Sequence, residues 1–236
     1  MRLSTLRTPS LLLSWALAPP MVVQSDTGQV RFAIGGAVGQ YEVVTRDCEG
    51  RAISSRPVEF DSYGAKVDWL PPRHPFRVSA FGGVSSVAGT EFDADGPHGG
   101  AVVAFEGRRI GIGVGPVWLP GHDIVPSIYL RLGDRPDNFR IDVFAPTATR
   151  GSNGDFRMGA EFGRPRLRGF VGLSSHRFAD DRADGTGAFA DLGFVLRSDL
   201  DLTVSGSWHG GGKDHSDWAV AIGAQYHMRY GGSRRD

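Results

Sequence analysis

The chain has 236 residues, with 26 basic against 26 acidic side chains, 34 glycines, 14 prolines and one cysteine. Balanced charge without a basic excess argues against nucleic-acid binding, and a single cysteine excludes an internal disulfide and a Cys-rich zinc site. No interior apolar run reaches the roughly 18 residues that a membrane-spanning helix needs.

The N-terminal stretch MRLSTLRTPSLLLSWALAPPMVVQSD places Arg2 and Arg7 ahead of an apolar run from Leu11 to Ala18, followed by the small residues Val23 and Ser25. This is the three-part layout of a secretory signal peptide. Residues 1–25 are therefore expected to be removed after Ser25, leaving an exported protein that starts near Asp26. The apolar run is too short to anchor the chain across a bilayer.

From Asp26 onward the pattern is strand, turn, strand, with no 3.6-residue period. The first strand, GQVRFAIGGAVGQYEVV, sets Val30, Phe32, Ile34 and Val38 against Arg31, Ala33, Gly35, Ala37 and Gly39. A polar loop follows, in which Cys48 reads as an incidental thiol, too far from the N-terminus to carry a lipid anchor. VEFDSYGAKVDWL sets Tyr63, Ala65, Val67 and Trp69 against Ser62, Gly64, Lys66 and Asp68. After the proline-rich turn PPRHP, where the missing N–H groups end the ladder, FRVSAFGGVSS and AVVAFE continue the alternation. RIGIGVGPVW and IVPSIYLRLG follow, the second with Ser127, Tyr129 and Arg131 on its polar side. FRIDVFA, DFRMGAEFG, LRGFVGLSS, TGAFADLGFVLR, LTVSGSW and DWAVAIGAQYHMRY complete twelve candidate strands, with 8–10 as the alternative count. The connections alternate between tight turns (PPRHP, EGRR, DRPDN, RPR, SDLD) and mostly longer loops rich in Gly, Asp and Ser.

In its strand length, its two-residue alternation and its alternating short and long connections, the chain resembles the bacterial outer-membrane β-barrel proteins, small porin-like barrels in particular. The resemblance implies an all-β fold: one closed, antiparallel, up-and-down transmembrane barrel over residues 26–230, with residues 231–236 as a short periplasmic tail. A closed barrel is the only sheet that leaves no unpaired edge in lipid. Apolar rows then face outward and polar rows inward, over about ten residues per crossing. Trp118, Trp208 and Trp218 fall at the long-loop ends of strands, and Trp69, Tyr226 and Tyr230 near the tight-turn ends. That distribution resembles the two aromatic girdles of the family. Gly223, Tyr226, Met228 and Tyr230 match the family's C-terminal assembly signal, which implies recognition by the barrel-assembly machinery. Two features depart from that signal: Ala221 stands where a polar residue is usual, and GGSRRD follows the last aromatic residue.

The inward rows carry the candidate chemistry. Arg131, Arg140, Asp142, Arg157, Glu161, Arg168, Asp191 and Arg197 are expected to face the lumen. Charges taken out of water must pair, so a network of ion pairs is the plainest reading. An arginine-rich constriction formed by Arg131, Arg140, Arg168 and Arg197 would instead favour anionic solutes. Some barrels of this kind are lipid hydrolases, which need a serine–histidine pair. Ser174 and His176 share a face, but that face is the lumen. The loop histidines His98, His122, His209 and His215 match no metal-site spacing, and GIGVG opens no helix and so is no nucleotide loop. No catalytic, cofactor or metal site is expected. The first expectation for function is a passive, porin-like channel for small polar solutes; the alternative is a closed structural barrel whose extracellular loops bind partners, and a lipid-modifying outer-membrane enzyme comes third. In each case the expected location is the outer membrane, in contact with its lipid.

Overall fold

A computed structural model describes residues 27–46, 52–87, 96–118, 124–134, 137–144, 154–177, 185–211 and 215–231. The proposed signal peptide, Cys48, His122 and residues 232–236 lie outside these. Twelve strands follow one another: β1 (Gly28–Arg46), β2 (Ala52–Leu70), β3 (Phe76–Val87), β4 (Gly96–Glu106), β5 (Ile110–Trp118), β6 (Val125–Leu132), β7 (Asn138–Phe144), β8 (Gly154–Arg164), β9 (Leu167–Arg177), β10 (Gly185–Arg197), β11 (Leu200–Gly211) and β12 (His215–Tyr230). Each pairs antiparallel with its neighbour in sequence, and β1 pairs with β12 to close the barrel. The seam runs from Gly28 opposite Tyr230 to Gln40 opposite Trp218, with Phe32 opposite Tyr226.

The two-residue period decides the wall. Because successive side chains point to opposite faces, Phe32, Ile34, Val38, Val220, Ile222 and Tyr226 stand exposed outside, while Arg31, Ala37, Ala219 and Ala221 are buried inside. The outer surface is a continuous apolar belt, far larger than the patches that water-soluble monomers leave uncovered. Ile222 is 58 % exposed halfway along β12. Ile222→Arg is expected to destabilise the barrel in phosphatidylcholine vesicles by about 2–4 kcal/mol, the usual cost of a cation on the lipid face near mid-bilayer. Denaturant unfolding followed by tryptophan fluorescence checks this. A loss below about 0.5 kcal/mol would mean that water, not lipid, covers this face.

Backbone bonds tie residues of three tight turns to the neighbouring strand or turn, carrying the ladder past the strand ends. Gly133 N–H donates to Arg109 O at 2.8 Å, Val195 N–H to Arg166 O at 3.0 Å and His227 N–H to Asp199 O at 2.8 Å. Gly133 has a φ of 111°, a conformation that a side chain would strain.

The strand ends differ from the expected ones mainly at the long-loop side. The sequence places the first strand's end at Val44 and the second's start at Val58. The ladder instead continues to Arg46 opposite Ala52, with a bulge at Thr45/Arg46. Pairing with the flanking strands stops earlier, at Gln40–Trp218 and at Phe60–Val87. The β1–β2 hairpin therefore overhangs the rim. Extending a ladder already in register takes less than starting one, so polar residues suffice there. Similarly, β4 starts at Gly96 and β11 runs to Gly211, which draws His98 and His209 out of their expected loops and into strands.

Candidate functional site

The inward face is the candidate site, and among the described residues most of its long charged and aromatic side chains are buried against one another. In the tight-turn half, acids collect cations around them. Asp68 accepts a hydrogen bond from Ser79 Oγ and pairs with Lys66 Nζ at 3.3 Å. Glu106 accepts from Tyr129 OH at 2.6 Å and lies 3.6 Å from Arg77 and 3.7 Å from Arg131. Arg131 also donates to the carbonyls of Gly133 (2.7 Å) and Gly107 (2.5 Å), which ties the β4–β5 and β6–β7 turns together. Arg140 pairs with Glu161 at 3.2 Å. Asp201 holds His227 at 2.9 Å and Arg168 at 3.5 Å, and Gln29 bridges His227 to Arg31.

At mid-height the cations and aromatic rings alternate. The Arg77 and Arg140 guanidiniums lie over Tyr129, at 5.4 and 5.5 Å from the ring centroid. Arg140 also covers Phe170 at 4.5 Å, and Arg157 covers Phe189 at 3.7 Å. Phe170 and Phe189 meet edge to face at 4.6 Å, and Arg157 pairs with Asp191 at 2.9 Å. Desolvated cation–π contacts of this kind are worth about 1–2 kcal/mol each.

The opposite wall is bare of side chains along one row. Gly223, Gly35, Gly64 and Gly83 stand side by side on β12, β1, β2 and β3, all on the inward face. The Tyr129 ring lies across β5, where a Cβ on Gly113 would stand only 2.8 Å from it. Eight-stranded barrels are filled by ordinary side chains, and barrels of 16–18 strands leave a channel. Twelve strands need arginines and aromatics to fill the bore, and these walls supply them.

Of the lumen residues expected from the sequence, Arg131, Arg140, Arg157 and Glu161 are buried in the bore, with Arg131 at 1 % and Arg140 at 2 % exposure. Arg168 and Asp191 line it and are half-buried. The side chain of Asp142 lies outside the described residues; its backbone faces Tyr129 and Arg157 in the ladder. Arg197 is a correction. A register shift between Val195 and Arg197 carries it past the rim, where it is 72 % exposed and pairs with Asp199 at 3.2 Å. Arg229, near the end of β12, is also exposed. Trp69, Trp118, Trp208, Trp218, Tyr226 and Tyr230 all stand exposed outside. Trp208 and Trp218 face each other across β11–β12, and Trp69 Nε1 donates to Tyr230 OH at 2.6 Å over β1. Gly28 makes that last contact possible, since a Cβ there would stand 2.3 Å from the Tyr230 ring.

Sequence reasoning gave no role to Tyr129, Phe170 and Phe189, although the first two fall on the polar face of its strands. Two serine–histidine pairs also go unseen in the sequence: Ser85 with His98 at 3.1 Å and Ser174 with His209 at 2.6 Å, all inside the long-loop half. The available signal was the run Asp201, Thr203, Ser205, Ser207, His209, which extends the polar row one step beyond Trp208. No group of three or more His, Cys, Asp or Glu residues able to hold a metal ion occurs among the described residues.

No family model and no curated protein matches the chain. Solved structures do. An outer-membrane channel from Pseudomonas putida F1 aligns with a TM-score of 0.56 at 9 % identity, covering 90 % of this chain and 100 % of that one. The translocator domain of the autotransporter NalP from Neisseria meningitidis aligns with a TM-score of 0.52 at 11 % identity, covering 92 % of each. At these identities the likeness is one of fold, and the fold is that of the bacterial outer-membrane β-barrels.

Proposed function

We propose that this protein is an outer-membrane barrel whose bore is closed in its resting form, so that it acts at its two rims and not by diffusion through its middle. One observation carries this reading: the charged side chains in the tight-turn half and the middle of the bore are almost without water contact, Arg131 at 1 %, Asp68 at 1 % and Arg140 at 2 % exposure. A diffusive pore keeps its charged lining hydrated, because permeating solutes bring their water with them. Here carboxylates and aromatic rings take the place of that water. The apolar belt, the outward girdle and the fold support the outer membrane as the location. The barrel-assembly machinery is the partner that Gly223, Tyr226, Met228 and Tyr230 would engage. Partner contacts would fall to the long-loop rim, over which the β1–β2 hairpin reaches.

Planar-bilayer recording of the folded protein tests the proposal, with heat-modifiable gel migration as the check of folding. The expected result is a quiet membrane. Reproducible ohmic steps from heat-modifiable protein would overturn the closed reading.

A second reading, a narrow channel preferring anions, has its own supporting observation. Among the described residues the bore holds Arg31, Lys66, Arg77, Arg131, Arg140, Arg157 and Arg168 against Asp68, Glu106, Glu161, Asp191, Asp201 and, in the long-loop half, Asp217, an excess of one cation. The likeness in fold to the outer-membrane channel from Pseudomonas putida F1 also supports it. Were steps to appear, the sign of the reversal potential in a potassium chloride gradient would decide the selectivity.

A further inference from the structure

We propose that Ser174, His209 and Asp217 form a nucleophile, base and positioning acid inside the long-loop half of the bore, able to take an acyl group from a water-borne carboxylic ester. The residues lie in one inward-facing row across four strands. Ser174 on β9 is opposite Gly187 on β10, Gly187 is opposite His209 on β11, and His209 is opposite Asp217 on β12. Gly187 is the reason that residues two strands apart can touch. With no side chain between them, Ser174 Oγ and His209 Nε2 approach to 2.6 Å. A Cβ at position 187 would stand 1.8 Å from the Trp208 carbonyl oxygen and 2.7 Å from His209 Cα.

The pair is the arrangement that activates a serine, a base within hydrogen-bond reach of the hydroxyl, and Asp217 stands opposite the base in the ladder, on the strand away from Ser174, where an acid would orient the ring. Two further groups flank the pair. Arg157 stands opposite Ser174 on β8 and brings positive charge to the nucleophile's other side. Ser207, one step down the inward face of β11, has a buried Oγ with no hydrogen-bond partner and is a donor for a carbonyl oxygen. The pair is buried, with Ser174 at 6 % and His209 at 4 % exposure. It nevertheless lies close to the mouth, for β9 ends at Arg177 and β11 at Gly211.

The step balances without any added reagent. With the ring proton on Nδ1, Nε2 takes the hydroxyl proton as Ser174 Oγ bonds to the ester carbon. The tetrahedral adduct collapses, its carbon–oxygen bond to the leaving group breaks, and the departing alkoxide takes the proton from His209. Water then attacks the acyl-serine while Nε2 takes one of its protons, the Oγ–carbon bond breaks, Nε2 returns the proton to Oγ, and a carboxylic acid leaves. Because the row faces the bore, bilayer lipid outside the wall cannot reach it. That directs the inference to small soluble esters.

The test uses the folded full-length protein in detergent and a fluorophosphonate probe, with peptide mass spectrometry to locate the adduct. The expected result is labelling at Ser174, abolished in Ser174→Ala and slowed about 100-fold or more in His209→Gln. Asp217→Asn should slow labelling and move the midpoint of its pH profile, which a purely structural contact would not do. Ser85→Ala, which breaks the other serine–histidine pair, should label normally. Folded wild-type protein that stays unlabelled overturns the proposal, as does an adduct on any other residue. None of these outcomes depends on whether the bore conducts.

Discussion

Glu106→Ala is expected to remove about 3–5 kcal/mol of folding free energy, the usual penalty for breaking a buried ion pair from one side. The Glu106 side chain is 1 % exposed, as is that of Arg131, and Arg77 is 3 % exposed. Removing the carboxylate leaves two guanidiniums in a space without a counter-charge, and takes the acceptor from the Tyr129 hydroxyl. The two cations should not suffer equally. Arg131 keeps the carbonyls of Gly107 and Gly133, whereas Arg77 has Nε and Nη1 buried without hydrogen-bond partners and relies on the charge of Glu106. Glu106→Gln should fall between wild type and alanine, since it keeps the shape and an acceptor but not the charge. The double change Arg77→Met, Glu106→Leu should recover much of the loss, because apolar residues of similar volume often replace a buried pair without penalty. Equilibrium unfolding in urea or guanidinium measures all three. A loss under about 1 kcal/mol for Glu106→Ala would place the pair in the range of water-screened surface bridges, and the closed-bore proposal would lose its support.

The second large effect concerns the alternating ladder at mid-height. Replacing Arg140, Arg157 and Phe170 together by serine removes both guanidiniums that cover Phe170 and one of the two over Tyr129. The expected result is a folded barrel that gives ohmic steps in planar bilayers where wild type is silent. The glycine row on the facing wall would leave a water-filled gap once those side chains are cut back. The cost in stability should be several kcal/mol, from about 1–2 kcal/mol per lost cation–π contact plus the unpaired Glu161 and Asp191. Heat-modifiable migration distinguishes a destabilised barrel from an unfolded one. A folded triple variant that remains silent would show that the seal lies elsewhere, at one of the rims.

Much of this architecture was legible from periodicity. The row Trp218, Val220, Ile222, Ala224, Tyr226, Met228, Tyr230 fixes which way β12 faces, and the same rule oriented every other strand. Strand count and closure follow from it together with the alternation of short and long connections, since rows of that length suit a barrel wall better than the shorter strands of a sandwich. Pairing inside the bore was not legible. Arg157 reaches Asp191 across β9, and Ser174 reaches His209 across β10. Such contacts depend on the stagger of strands and on which positions between them are glycine, neither of which an alternating pattern encodes. Arg197 shows the limit at the ends: one bulge changes a lumen residue into a rim residue. The burial of the inward charges was hidden for a related reason. A polar row reads the same whether its charges meet water or each other, and only distances across the barrel decide between them.

The seam has a consequence for how the molecule is made. Eleven of the twelve strand pairings join neighbours in the chain, so each hairpin can form from short segments soon after they meet. The last pairing joins Gly28 to Tyr230, and every other strand lies between them. Its closure therefore carries the largest loop entropy of any step and should come late. Until then β1 and β12 are two bare edges, each a template for a strand from another chain. The bond from Trp69 to Tyr230, passing over β1, acts as a clasp across that gap. Assembly of this barrel is in effect a ring closure, and its hazard is the time spent as an open ribbon.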